Sequence, residues 1–182
     1  MQSAVGGPGG SVAVDVIDED NRDVWIIDLE RKTPTRLTFN SAGDGYPAWT
    51  PDSSRVVWSL GTSTNRNLFW QNADGTGTPE QLTNSVNDQL ASWVTPDGES
   101  LLFTEANPET GSYDIGMLSL VGDSQPELLL ATPYQEGGAV VSPNGRWLAY
   151  QTDESGQFEI VARPFTDINA GRWQLSRDGG TW

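Results

Sequence analysis

The stretch from Ala48 to Trp58, AWTPDSSRVVW, returns in altered form as SWVTPDGESLLF from Ser92 and as VVSPNGRWLAY from Val140. A chain that writes one phrase three times is an array of like units, and the spacing of the copies says which kind of array. Pro51, Pro96 and Pro143 are separated by 45 and then 47 residues. A Leu-Thr-like element falls at Leu37, Leu82, Leu128 and Leu175, with spacings of 45, 46 and 47.

Each copy keeps its internal distances, since Asp52 to Trp58, Asp97 to Phe103 and Asn144 to Tyr150 are all six residues apart. The turns PDSS, PDGE and PNGR supply the φ and the side-chain hydrogen bonding of a tight hairpin between two apolar strands. A third strand follows in NLFWQ, DIGML and EIVAR, headed by Asn67, Asp114 and Glu159, and a fourth in EQLTN, PELLLA and RWQLS. No window has a 3.6-residue apolar period, and Gly or Pro interrupts the chain throughout, so helix is nearly absent. Four short antiparallel strands per repeat of about 45 residues make an all-β chain, and the unit is the blade of a β-propeller. A parallel β-helix would need shorter rungs.

Composition excludes several functions. Ten Lys and Arg against 25 Asp and Glu leave a net charge of -15, which disfavours nucleic acid and anionic membrane surfaces alike. No apolar run approaches the roughly 18 residues of a spanning helix, so membrane insertion is not expected. The chain has neither Cys nor His. Disulfides, thiolate nucleophiles, Cys/His zinc sites and imidazole-based triads are therefore impossible. Carboxylate, Tyr, Lys and amide oxygen remain for acid-base or metal work.

The segment RLTFNSAGDGYPAWTPDSSRVVWS resembles the TolB-type propeller repeat, whose core reads Leu-Thr and then Pro-x-Trp-Ser-Pro-Asp-Gly. The match is close in two copies. In the third, Val140 or Val141 stands where Trp49 and Trp93 stand, and Pro143-Asn144 replaces Pro-Asp. The resemblance runs over residues 11–182. Its members include periplasmic TolB, peptidase propeller domains and the propeller tails of bacterial membrane-anchored Ser/Thr kinases. The resemblance therefore implies a propeller that is often extracytoplasmic, while MQSAVGGPGG lacks the charged start and apolar centre of a signal peptide.

The expected organisation is a flexible tail at 1–10, a split blade at 11–40, complete blades at 41–83, 84–130 and 131–176, and the start of an inner strand at 177–182. The split blade has no Pro-x-Trp segment ahead of it, whereas DGGTW begins such a strand. Four blade equivalents per chain can close alone, form part of a larger ring, or pair as an eight-bladed homodimer. In the dimer Gly179, Gly180, Thr181 and Trp182 complete the partner's split blade. Trp182 is then either an interface anchor or simply where the chain stops.

In a propeller the loops leading into the inner strands crowd the channel mouth, and there the repeat places Asp44, Asp88 and Glu136, with Tyr46 and Tyr134 beside them. Three carboxylates suit a hard cation, and calcium, which needs no His, is the candidate ion. Such an ion could polarise a phosphoryl or acyl oxygen, by analogy with calcium propellers that hydrolyse phosphotriesters and lactones. The alternative is that each acid supports its own loop through Asx-type hydrogen bonds. Two functions stand at this point: a sensor or scaffold module binding a protein or small molecule in the channel or on a face, and a calcium-type hydrolase.

Overall fold

The computed structural model describes residues 4–6, 10–18, 20–122 and 125–181. All four sheets have four strands, and within each the order in space follows the order in sequence. The first blade comprises β1 (Ala4–Gly6), β2 (Ser11–Asp18), β3 (Asn21–Asp28) and β4 (Thr33–Arg36). The second comprises β5 (Gly43–Trp49), β6 (Arg55–Thr62), β7 (Asn65–Asn72) and β8 (Glu80–Gln81). The third is β9 (Gln89–Val94), β10 (Ser100–Ala106), β11 (Tyr113–Ser119) and β12 (Glu127–Leu130), and the fourth is β13 (Glu136–Val141), β14 (Trp147–Thr152), β15 (Glu159–Pro164) and β16 (Trp173–Gln174). The chain divides into two compact units, Met1–Ala91 and Ser92–Trp182. Among the described residues no helix is long and apolar enough to cross a membrane.

The repeated phrase is a hydrogen-bonded latch that closes the first hairpin of a blade. Thr50 Oγ1 donates to Asp52 Oδ1 at 2.6 Å and accepts from Arg55 N at 3.0 Å. Thr95 does the same with Asp97 and Ser100, and Ser142 with Asn144 and Trp147. The residue after the acid or amide turns left-handed, with φ of 62° at Ser53, 78° at Gly98 and 70° at Gly145, which is why the motif favours glycine there. The hydroxyls of Thr50 and Ser54 hold the Asp52 carboxyl down to about 2.

Each unit has a core made where two sheets face one another. In the first unit Ala13, Val24 and Leu37 of the first blade lie against Trp49, Val56 and Trp58 of the second, with Trp58 stacked on Phe69 at 6.4 Å. In the second unit Leu102, Ile115 and Leu130 of the third blade meet Ala139, Val141, Leu148 and Tyr150 of the fourth. These are the same repeat positions in both units, so one packing rule serves twice. Full burial of a Leu, Val or aromatic side chain contributes roughly 1.5–3 kcal/mol.

Three expectations are corrected. The first blade does have an inner strand of its own: Ala4–Gly6 pairs with β2 in the register Ala4↔Val14, Val5↔Ala13 and Gly6↔Val12. The tail reading therefore fails at these residues, where small side chains and glycine hide a strand that carries no Trp. The inner strand expected at 177–182 is not formed over 177–181, and Trp182 lies outside the described residues. Instead Gly180 N donates to Phe158 O at 2.8 Å and Gly179 N to Glu159 Oε1 at 3.0 Å, so this segment folds onto its own blade. Finally, the third Leu-Thr-like anchor is Leu130 and not Leu128. A register shift between Ile115 and Gly116 moves the pairing by one residue, pairing Ile115 with Leu130 and leaving Leu128 half exposed.

Candidate functional site

In every blade the start of the first strand, the end of the second and the start of the third lie at one end of the sheet, as the antiparallel pairings require. The acids expected at the channel mouth are at that end, and all three are buried. Each is engaged within its own unit.

Asp44, on β5, accepts from Trp58 Nε1 at 2.8 Å. Burial pushes its carboxyl up to about 6, against the pull of the Thr38 and Trp58 donors and with a further push from Asp23. A raised carboxyl pKa means that the folded chain binds the proton more tightly than the unfolded chain. Its contribution to stability is complete below the unfolded value near 4 and is lost as pH rises through about 6. The stability of Asp44→Asn relative to wild type should therefore rise by on the order of 2 kcal/mol between about pH 4 and about pH 7. Urea unfolding across that range checks it, and a constant difference would contradict the assignment.

Asp88, just ahead of β9, accepts from both the backbone N and the Nε of Arg66 at 2.9 Å, and the two side chains are 4% and 14% exposed. Glu136, on β13, takes a short hydrogen bond from the Thr132 hydroxyl, and burial raises its pKa against that bond. Asp44 and Asp88 are in the first unit and Glu136 in the second. Among the described residues no three carboxylates gather into a group that could hold a metal ion.

A second series, the acids Asp23, Asp114 and Glu159 with Asn67, lies near the start of the third strands, and in three blades the Leu-Thr-like element holds it. Thr38 Oγ1 accepts from Val24 N at 2.9 Å and sits beside Asp23. Thr83 Oγ1 does this for Leu68 N beside Asn67, and Ser176 for Ile160 N beside Glu159. The third blade has Ala131 at this position, with no hydroxyl to offer. Asp114 consequently keeps only Asn107 on Oδ2, its Oδ1 is buried without a partner, and burial raises its pKa.

The aromatic candidates differ from one another. Tyr134 is exposed at 42% and makes a backbone bond to Thr132. Tyr46 is half-buried and its backbone is left-handed at φ 57°, an outlier for a bulky residue. In the fourth blade the same position is Gly138, at φ 59°. The Tyr46 ring is flanked by Arg22 at 4.6 Å and Arg66 at 5.4 Å from its centroid, and these guanidiniums are anchored by Asp15 at 2.6 Å and Asp88 at 2.9 Å. Gly45 lets Arg22 approach, since a Cβ there would lie 2.7 Å from the guanidinium carbon. Sequence reading missed both arginines. Their signal was present: Arg22 and Arg66 each stand one residue before the head of a third strand, at Asp23 and Asn67.

A family model described as the TolB beta propeller domain matches residues 5–172. Among solved structures, the chain is similar to TolB from Acinetobacter baumannii, at 20% identity and a TM-score of 0.75 over 92% of this chain and 41% of that one. It is similar to a putative TolB from Agrobacterium tumefaciens at 16% identity and a TM-score of 0.76, over 91% of this chain and 61% of that one. It also resembles a chain of a nidogen/laminin complex at 14% identity and a TM-score of 0.76, covering 95% and 63%. At these identities the likeness concerns the fold, and the chain spans less than two thirds of each of these structures.

Proposed function

Because this chain belongs to the TolB beta propeller domain family, we propose that it acts as a binding module for a protein or peptide segment, with Tyr46 as the central contact and Arg22 and Arg66 beside it. The observation that carries this reading is the Tyr46 backbone. Holding a bulky residue in the left-handed region costs on the order of 1–3 kcal/mol, and such strain persists where the surroundings impose it, most often at ligand sites. Here the left-handed residue falls in the register shift between Gly45 and Ala48, as Gly138 does in the fourth blade, and two anchored guanidiniums flank the ring. A Tyr flanked by Arg is the composition of a binding anchor. The net charge of -15 favours neutral or basic segments over acidic ones.

The hydrolase alternative assigns calcium to Asp44, Asp88 and Glu136, and the pairing of Asp88 with Arg66 weighs against it. Selection of a displayed random-peptide library on the immobilised chain, with and without calcium, tests the proposal. Peptides enriched in the absence of calcium should lose at least tenfold in affinity for Tyr46→Gly, a substitution that the left-handed backbone accepts. Enrichment only in the presence of calcium would favour the metal reading.

A further inference from the structure

The third copy of the hairpin phrase departs from the other two where chemistry is possible: Asn144 stands in place of Asp52 and Asp97, and Gly145 follows it. No other asparagine of the chain precedes glycine; the rest precede Arg, Ser, Leu, Ala, Asp or Pro. The latch accounts for the pair. Its turn residue is left-handed, at φ 70° in Gly145, and so favours glycine, while the position before it needs only one acceptor oxygen, which an amide supplies as well as an acid. Asn144 Oδ1 accepts from Ser142 Oγ at 2.7 Å and from Arg146 N at 3.1 Å. Its Nδ2 makes no hydrogen bond among the described residues. The residue is exposed, as Asp52 and Asp97 are at the tips of their own hairpins, so its exposure does not depend on what covers the face of the blade.

We propose that Asn144 is a site of spontaneous covalent modification, at which the backbone nitrogen of Gly145 displaces the side-chain amide and the residue becomes aspartate or isoaspartate. Gly145 N gives up its proton and bonds to Asn144 Cγ; the Cγ–Nδ2 bond breaks, and Nδ2 leaves as ammonia with that proton. The five-membered succinimide then takes up water. Cleavage of the new Cγ–N bond gives aspartate, and cleavage of the original peptide C–N bond gives isoaspartate, with the chain rerouted through the side chain. The Ser142 and Arg146 donors polarise the carbonyl that is attacked and remain on its oxygen as charge develops there. The leaving nitrogen faces water, and Gly145 has no side chain to crowd the closing ring.

The two products differ in what they do to the hairpin. Aspartate completes the repeat, because the latch hydroxyls of Thr50 and Thr95 already hold the carboxyls of Asp52 and Asp97 below their ordinary value. Isoaspartate lengthens the backbone between Ser142 and Arg146 by a methylene, so the latch bonds from Arg146 N and Trp147 N no longer close together. Asp97-Gly98 is an internal control. It has the same latch and a φ of 78° at Gly98, but its carboxyl is held ionised, and an ionised carboxylate is not displaced.

Each conversion adds a negative charge to a chain of net charge -15, so the products separate by ion exchange. The folded chain, held at about pH 8 and about 37 °C and then cut with a Glu-specific protease, releases residues 137–154. Mass spectrometry of that segment reads ammonia lost and water gained, and labelling by isoaspartyl methyltransferase reads isoaspartate. Conversion at Asn144 should be at least about tenfold faster than at any other asparagine, and at least about tenfold faster than isoaspartate formation at Asp97. Asn144→Asp should stop the charge change at this residue and melt no lower than wild type, whereas the separated isoaspartate form should melt below it. Conversion at Asn144 no faster than elsewhere in the folded chain would overturn the proposal. So would isoaspartate forming as fast at Asp97, or an isoaspartate form that melts with the wild type.

Discussion

Replacing Asp88 by alanine is expected to lower the free energy of unfolding by about 3–5 kcal/mol, the range for removing one partner of a buried ion pair. Asp88 satisfies the Arg66 guanidinium and the Arg66 backbone N–H together, both at 2.9 Å. Its removal leaves a charge and a donor behind where only 14% of the Arg66 side chain reaches solvent. Salt should change this loss little, because a buried pair is poorly screened. Asp88→Asn keeps one acceptor oxygen and should lose about half as much. Equilibrium unfolding in urea measures both, and a loss under about 1 kcal/mol for the alanine variant would place Asp88 among exposed acids instead.

Leu130→Ala should cost about 3 kcal/mol, whereas Leu128→Ala should change stability by less than about 0.5 kcal/mol. Both are leucines of one four-residue strand, and they differ only in which face of β12 the register shift assigns them. Leu130 is 7% exposed and packs with Ile115 and Leu148, while Leu128 is 50% exposed. Equal losses would mean that the shift is misplaced.

The hairpin turns were fully legible in the sequence, because Thr/Ser-Pro-Asp/Asn encodes its hydrogen bonds within five residues of chain. Asp44 and Glu136 were legible as equivalent buried positions, six residues ahead of Thr50 and Ser142. The residue six ahead of Thr95 is Gln89, which accepts from Thr83, so Asp88 stands one residue off the repeat, and the partners of all three were not legible. Arg66 lies 22 residues from Asp88, and Trp58 lies 14 from Asp44, distances at which no local pattern links donor to acceptor. Carboxylates at nearly matching repeat positions therefore looked like one converging set, although each is engaged inside its own unit. The strand Ala4–Gly6 was missed because its signal was sought in a Pro-x-Trp that this copy lacks. The sequence does hold a proline, Pro8, ahead of β2 as Pro51, Pro96 and Pro143 stand ahead of β6, β10 and β14. Leu128 falls on the constant period and Leu130 does not, because a constant period cannot anticipate a bulge. The left-handed backbone at Tyr46 had no signal in its own copy. Only Gly138, its equivalent in the fourth blade, marks the position as one that prefers glycine.

That backbone is also where the functional account is most exposed to test. Tyr46→Gly relieves the strained φ while removing the one side chain that Arg22 and Arg66 hold in place. Isothermal titration of a selected peptide against wild type and Tyr46→Gly, with melting followed in parallel, measures both effects at once. A binding site centred on Tyr46 predicts affinity at least tenfold weaker, about 1.4 kcal/mol, with the variant folded and its melting temperature no lower than that of a chain losing one ring contact. Equal affinity for the two proteins, with both folded, would contradict the account and leave Tyr46 a strained residue with no part in binding.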